Sequence, residues 1–157
     1  MQCRYASHCA SLLASENAGV TRIHLGSTSI QAVVESADVP LAFAEFLPGA
    51  TVDAIGAARS WLEPRFARET SPGIWHGLFS FHSYVLRTPR HTILVDSCIG
   101  NDKNRNGAPG FHMLDTPWLA NLAAAGVTPE SVDFVMCTHM HADHIGWNTR
   151  LANGRWV

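Results

Sequence analysis

The run Thr138-His139-Met140-His141-Ala142-Asp143-His144-Ile145-Gly146 constrains this chain more than any other feature. It gathers three imidazoles and a carboxylate within six residues, directly after the apolar stretch 132–137. A stretch that short and that apolar reads as a strand covered on both faces, so the cluster sits at a strand exit. His139 and His141 are two apart. In an extended segment both side chains project to one side, whereas in a helix they diverge by about half a turn. The pair therefore fits a loop leaving a strand. Asp143 and His144 are adjacent, so they diverge from each other unless the chain turns there.

One metal ion can take both imidazoles of His139 and His141 at about 2.0–2.1 Å, the usual zinc to nitrogen distance. A turn at Asp143 aims Asp143 and His144 at a second, neighbouring ion. Nitrogen and carboxylate donors suit zinc, and also iron, cobalt, nickel or manganese. Two ions about 3.5–4 Å apart share a water, lower its pKa toward neutrality and polarise the oxygen under attack. The pattern thus predicts hydrolysis through a hydroxide bridging two ions, with Asp143 as the residue that orients it and passes a proton to the leaving group. A polar surface loop is the alternative, and the tightness of the cluster behind a buried strand argues against it. The histidines at 8, 24, 76, 82, 91 and 112 read as surface or hydrogen-bonded residues, with His82 and His112 the candidates for lining a pocket.

With 157 residues, 46% apolar and 15% charged, the chain can bury one sizeable core. A net charge of -2, from 11 basic and 13 acidic side chains, exerts no broad pull on nucleic acid or an anionic membrane. A small-molecule substrate, and neither nucleic acid nor membrane, is therefore the expected partner. The cysteines at 3, 9, 98 and 137 form no C-x-x-C pair and no dense disulfide pattern, which favours a reducing compartment. No apolar stretch approaches a membrane span, and a soluble cytoplasmic protein is expected. Residues 1–20 show no clear period and read as a disordered extension ahead of a domain over 21–157.

Partial alternation over 22–34 around Gly26-Ser27 suggests a hairpin of two short strands, broken by Pro40, Pro48 and Gly49. Helical spacing over 51–64 suggests a helix with Thr51 as N-cap and Pro64 as the stop. Residues 78–86 and 92–95 read as a buried strand pair joined at Thr88-Pro89-Arg90. Asp96 closes the second strand, and 100–110 is a polar loop with the composition of a mobile segment. A helix follows, with Asp115 or Thr116 as N-cap, Pro117 just inside, a stripe of Trp118, Leu119, Leu122 and Ala123, and Gly126 at its end. The order suits layers of helix packed on sheet.

The pattern His139-x-His141-x-Asp143-His144, behind the Asp133-Phe134-Val135-Met136-Cys137-Thr138 strand and ahead of Ile145-Gly146, resembles the metallo-β-lactamase-fold hydrolases. The Ile93-Leu94-Val95-Asp96 strand and the Ala125-Gly126-Val127-Thr128-Pro129 turn extend the likeness over most of 22–157. The resemblance implies an α+β fold, the N-terminal half of a four-layer αββα sandwich with the metals at one edge of the sheets. It implies two zinc ions in a complete site, His139 and His141 on the first and Asp143 and His144 on the second. Asp96 resembles the family's strand-end acid that fixes a ligand histidine, while a simple turn-forming role remains open. Trp147 and Asn148 resemble the Gly-Trp-Asn variant of lactonase-like and organophosphate-hydrolase-like branches, with plain core packing the alternative for Trp147.

Members of that family complete the site with two further histidines and a bridging aspartate downstream. Residues 145–157 contain no His, Asp, Glu or Cys, so the sequence reads as truncated, with about two protein ligands per ion against the usual three. Weak metal binding and little or no turnover by this chain alone are expected. An uncovered sheet face is expected too, needing a missing C-terminal half or a self-associating copy. The function this implies is hydrolysis of an ester, lactone or phosphoester. A glyoxalase II-type thioesterase, a nuclease of the same fold, which the missing basic stripe disfavours, and a non-catalytic fragment or binding subunit are the alternatives.

Overall fold

A computed structural model describes residues 22–157, and the expected extension over 1–20 lies outside the described residues. The described chain forms two compact units, one of residues 22–36 with 81–157 and one of residues 37–80. Its elements in order are β1 (Ile23–Leu25), β2 (Thr28–Ala42), α1 (Phe43–Phe46), α2 (Val52–Ala57), α3 (Arg59–Leu62), β3 (Ala67–Ser71), β4 (Ile74–Arg87), β5 (Thr92–Val95), α4 (Trp118–Ala124), β6 (Phe134–Met136), β7 (Leu151–Ala152) and β8 (Arg155–Trp156). The strands β2 and β4 each run through both units. Among the described residues no helix is long and apolar enough to cross a membrane.

In the first unit the sheet order is β1-β2-β4-β5-β6. The β1–β2 hairpin turns at Gly26, whose φ of 61° suits a residue without a Cβ. Its second strand is not short as expected: β2 has 15 residues and continues through Pro40. Asp38, two residues earlier, departs from the pleat with a φ of 53°, and local irregularity of that kind is where a strand tolerates proline. The pair β4–β5 is antiparallel, from Tyr84 opposite Val95 to Arg87 opposite Thr92. Thr88 closes its turn by accepting from the backbone of Arg90 and His91 at 3.3 and 2.9 Å. By contrast β5 and β6 are parallel, Ile93 facing Phe134 and Val95 facing Met136, so the chain crosses over between them and uses α4 to do so. A mixed sheet with few helices gives the fold its α+β character.

The core of this unit is Val33, Val85, Leu94, Cys98, Trp118, Leu122, Ala125 and Val127. Trp118, Leu122 and Ala125 recur at helical spacing, which buries one face of α4 against the sheet. Gly126 ends the helix at a φ of 78°. The expected N-cap is corrected: Pro117 occupies that position without a side-chain cap, because the Thr116 hydroxyl is engaged between Glu35 and Asn101. Trp118 is 2% exposed and stacks on Trp147 with centroids 5.2 Å apart. Trp118→Ala is expected to lower unfolding free energy by about 3–5 kcal/mol, read from urea denaturation; a loss under 1 kcal/mol would mean that α4 does not anchor this core.

The strand before the histidine cluster is not covered on both faces. Phe134, Val135 and Met136 are 52, 49 and 56% exposed. The cause is position: β6 ends the sheet and pairs only with β5 among the described residues. The loop over 100–110 is tied down, not free, by Met113 N–H to Lys103 O at 2.8 Å and Asp102 N–H to Leu114 O at 3.0 Å.

The second unit has its own core of Ile55, Ala67 and Trp75, with Phe43, Ala50 and Leu62 packed against it. The helix expected over 51–64 is split at Ala58 into α2 and α3. Thr51 does cap α2, its hydroxyl accepting from Ala54 N at 3.2 Å. The hairpin β3–β4, which sequence patterning did not predict, turns at Ser71-Pro72-Gly73 and starts β4 at Ile74, before the expected start at 78. A Cβ on Gly77 would lie 2.9 Å from the rings of Phe43 and Phe79, so the aromatic packing requires the glycine.

Candidate metal centre

The strand exit is built by Asp96. At the end of β5 its N–H donates to Met136 O at 2.8 Å, and its carboxylate turns toward the residues that follow β6. Oδ1 accepts from Thr138 N at 2.8 Å, and the Thr138 hydroxyl lies 2.9 Å from Oδ2. His144 Nδ1 is 2.8 Å from the same Oδ2. Burial acts to raise the Asp96 carboxyl, but the hydrogen bonds from His144 and Thr138 outweigh it and hold the group below the usual carboxylate range. An acceptor on Nδ1 places the proton there and leaves His144 Nε2 with its lone pair free.

The four motif side chains come together. His139 Nε2 lies 3.0 Å from His141 Nδ1. Asp143 Oδ2 lies 3.3 Å from His144 Nε2. The rings of His139 and His144 are 3.9 Å apart between centroids, so the two pairs adjoin. Among the described residues no group of three or more His, Cys, Asp or Glu side chains is arranged to hold one ion. The donors form two pairs.

Backbone contacts to the loop 96–100 hold the motif in place. Ser97 N donates to His144 O, Gly146 N to Cys98 O and Trp147 N to Ser97 O, each at 2.8 Å. Ser97 Oγ adds a bond to Asn148 Oδ1 at 2.8 Å. The backbones approach so closely that a Cβ on Gly146 would lie 1.8 Å from Ile99 O. Arg105 bridges the two segments, donating from Nη2 to Ile99 O and Ala142 O at 3.2 Å.

Sequence reasoning missed Glu35, Ser97 and Arg105. Trp147 is both packed, on Trp118, and hydrogen-bonded, from Nε1 to Glu35 Oε1 at 2.7 Å. His82 and His112 do not join the motif: His82 Nε2 is 2.9 Å from the Tyr84 hydroxyl, and His112 Nδ1 accepts from Arg105 N at 3.0 Å. Neither lines the apolar groove of about 360 Å³ beside β6, which is walled by Leu94, Trp118, Leu122, Val135, Trp147 and Val157.

A mixed α+β sheet carrying a His-x-His-x-Asp-His loop at a strand exit, with an aspartate behind it, defines a class of metallo-hydrolase folds. The chain belongs to the metallo-beta-lactamase superfamily, whose family model matches residues 76–157. Its fold is similar to that of a probable metal-dependent hydrolase from Staphylococcus aureus, at 21% identity and a TM-score of 0.59, covering 82% of this chain and 43% of that one. It is also similar to the hydrolase AbOPH of the beta-lactamase superfamily, at 21% identity and a TM-score of 0.53, covering 81% and 38%. A third likeness is to AidC, a dizinc quorum-quenching lactonase, at 20% identity and a TM-score of 0.54, covering 82% and 38%. The chain thus spans about two-fifths of the length of these proteins, and at such identities the likeness is one of fold.

Proposed function

We propose that this chain supplies part of the metal site of a hydrolase acting on an ester, lactone or phosphoester of a small molecule. The observation that carries the reading is the pairing of donors. Two ligands of a tetrahedral ion with bonds of about 2.0–2.1 Å lie about 3.3 Å apart, and the two pairs measure 3.0 and 3.3 Å. His139 Nε2 and His141 Nδ1 would hold one ion, and Asp143 Oδ2 and His144 Nε2 the other. Zinc suits this donor set, as do iron, manganese, cobalt and nickel, and the dizinc centre named for AidC favours zinc. Such ions supply an acidified water and polarise the oxygen under attack.

The chain's own residues do the rest. Asp96 keeps the proton of His144 on Nδ1, and Asp143 orients the attacking water and returns a proton to the leaving group. A lactone is favoured as substrate because the fold is shared with a named lactonase. Two donors per ion leave each site open, so the complete site takes further ligands from beyond this copy of residues 22–157, either more of the same protein or a second copy of the chain. The same polypeptide would cover the exposed β6. A reducing, cytoplasmic setting suits the sparse, irregular cysteine spacing at 3, 9, 98 and 137.

The test combines metal analysis with turnover. In the complete protein we expect nearly two ions per site, loss of lactone, ester or phosphotriester hydrolysis on chelation, and recovery on adding zinc. Asp143→Asn should lower kcat/KM at least 100-fold while leaving the unfolding midpoint within about 2 °C. Turnover that ignores both chelator and Asp143→Asn would overturn the reading. Substoichiometric metal without turnover would favour a non-catalytic binding subunit instead.

A further inference from the structure

Glu35 is 1% exposed and stands in β2, far along the chain from the motif. Two residues from Val33, it points the same way as a core residue. Every partner of its carboxylate is a donor. Oε2 accepts from Ile99 N at 2.7 Å. Oε1 accepts from Gly100 N at 3.0 Å and from Trp147 Nε1 at 2.7 Å, and has the Thr116 hydroxyl 3.2 Å away. A buried acid is rarely the most stable way to fill a core, since an apolar side chain of similar size avoids the desolvation. The donors around Glu35 indicate what it is for.

Ile99 and Gly100 belong to the loop 96–100, on which the motif segment docks through Gly146 and Trp147. That loop is wound through left-handed conformations at Asp96, Cys98 and Gly100, with φ of 57°, 49° and 81°, two of them at residues whose Cβ disfavours it. Successive N–H groups brought to one side by such a turn form a concave nest for an anion, and the carboxylate of Glu35 occupies it. The same loop receives Gly146 N on Cys98 O and Trp147 N on Ser97 O. The Trp147 side chain then returns to Glu35, so one carboxylate grips both the loop and the segment docked on it.

We propose that Glu35 is a positioning residue for the metal-donor loop, acting through Ile99, Gly100 and Trp147 to set where His144 and Asp143 stand. The proposal rests on the metal-site reading of the motif. Core packing alone would need none of the four donors to converge. A positioning role needs the three N–H donors of Ile99, Gly100 and Trp147, because releasing either the 99–100 turn or Trp147 loosens the backbone that carries His144.

The test is Glu35→Gln in the complete protein. The amide keeps the size of the acid but has only one acceptor atom. Turned either way, it sets its own N–H against Ile99 N–H or against the Gly100 and Trp147 donors. Zinc and cobalt(II) affinities, measured by competition with a chromophoric chelator under conditions where near-ultraviolet dichroism shows both proteins folded, should fall about 10–100-fold. The visible spectrum of the cobalt-loaded variant should also change. A purely structural role would lower stability and leave affinity and spectrum of the folded fraction untouched. Trp147→Phe, which keeps an aromatic ring against Trp118 and removes the Nε1 donor together with part of the indole, should weaken binding less, and the two changes together should be less than additive.

If the unaltered complete protein binds neither ion, the metal-site reading itself fails and the role of Glu35 with it. If the unaltered protein binds and folded Glu35→Gln binds within twofold of it, the positioning role alone is overturned. Should Glu35→Gln not fold, Trp147→Phe decides, and unchanged affinity there overturns the proposal.

Discussion

Gly146→Ala is expected to undock the donor loop and to lower unfolding free energy by about 3 kcal/mol or more, the upper range for overpacking. The added Cβ would lie 1.8 Å from Ile99 O, 2.0 Å from Ile99 C and 2.6 Å from Gly100 N. All three are backbone atoms, so no side chain can turn aside to make room. The contact is reciprocal, since a Cβ on Gly100 would lie 2.7 Å from the carbonyl of Gly146. Relief must come from separating the segments, which breaks the bonds of Gly146 N to Cys98 O and Trp147 N to Ser97 O. Urea denaturation gives the stability, and amide exchange at 97–100 and 144–148 locates the damage. Gly56→Ala is the control: it lies within α2 with open space around it, where alanine gains up to about 1 kcal/mol over glycine. Equal stability of Gly146→Ala and the parent, with those amides still protected, would contradict the close approach.

What was legible in the sequence and what was not divides along the range of the interactions. The histidine cluster, the strand Thr92–Val95, the buried stripe of Trp118 and Leu122, and the stop at Gly126 are encoded by spacings of a few residues, and chain geometry turns such spacings into faces. Exposure of β6 is different in kind. The apolarity of 134–136 specifies a strand, but only the sheet order says that nothing among the described residues lies beyond it. Thr116 carried a correct signal, a hydroxyl ahead of a helix, that a distant partner overrode: Glu35 lies 81 residues away along the chain. The start of β4 was hidden by Gly77, a strand-weakening residue that the rings of Phe43 and Phe79 require. Two short signals were available and unused. Ser71-Pro72-Gly73 and Asn153-Gly154 both mark hairpins, the latter with φ of 51° and 74° in the manner of a type I′ turn. Glu35 was also visible in principle, as an acid at the inward parity of Val33, but parity reveals a buried carboxylate without naming its donors.

Asp96→Asn is expected to disable His144 without moving it, which separates the chemistry of the site from its shape. Asp96 accepts on both oxygens, from Thr138 N at 2.8 Å on Oδ1 and from His144 Nδ1 at 2.8 Å on Oδ2. Asparagine offers one acceptor and one donor group in the same space. The backbone N–H of Thr138 cannot relocate its proton, whereas an imidazole can exchange one nitrogen for the other. The amide oxygen should therefore stay with Thr138, and the amide N–H should face Nδ1 of His144. The imidazole proton then moves to Nε2, the atom that faces Asp143 Oδ2 across 3.3 Å. A protonated Nε2 cannot donate to an ion, so on the proposed reading the Asp143–His144 pair loses its nitrogen while His139 and His141 keep theirs. Removing such a supporting partner costs about 10–100-fold in metal affinity, here confined to one of two ions. Nitrogen-15 spectra of the imidazoles report the tautomer in the metal-free chain, before any metal is added. His144 protonated on Nδ1 in both proteins would refute the argument at its first step. A switched tautomer with undiminished binding of the second ion would instead separate Asp96 from the metal site and leave it as the residue that joins the end of β5 to Thr138.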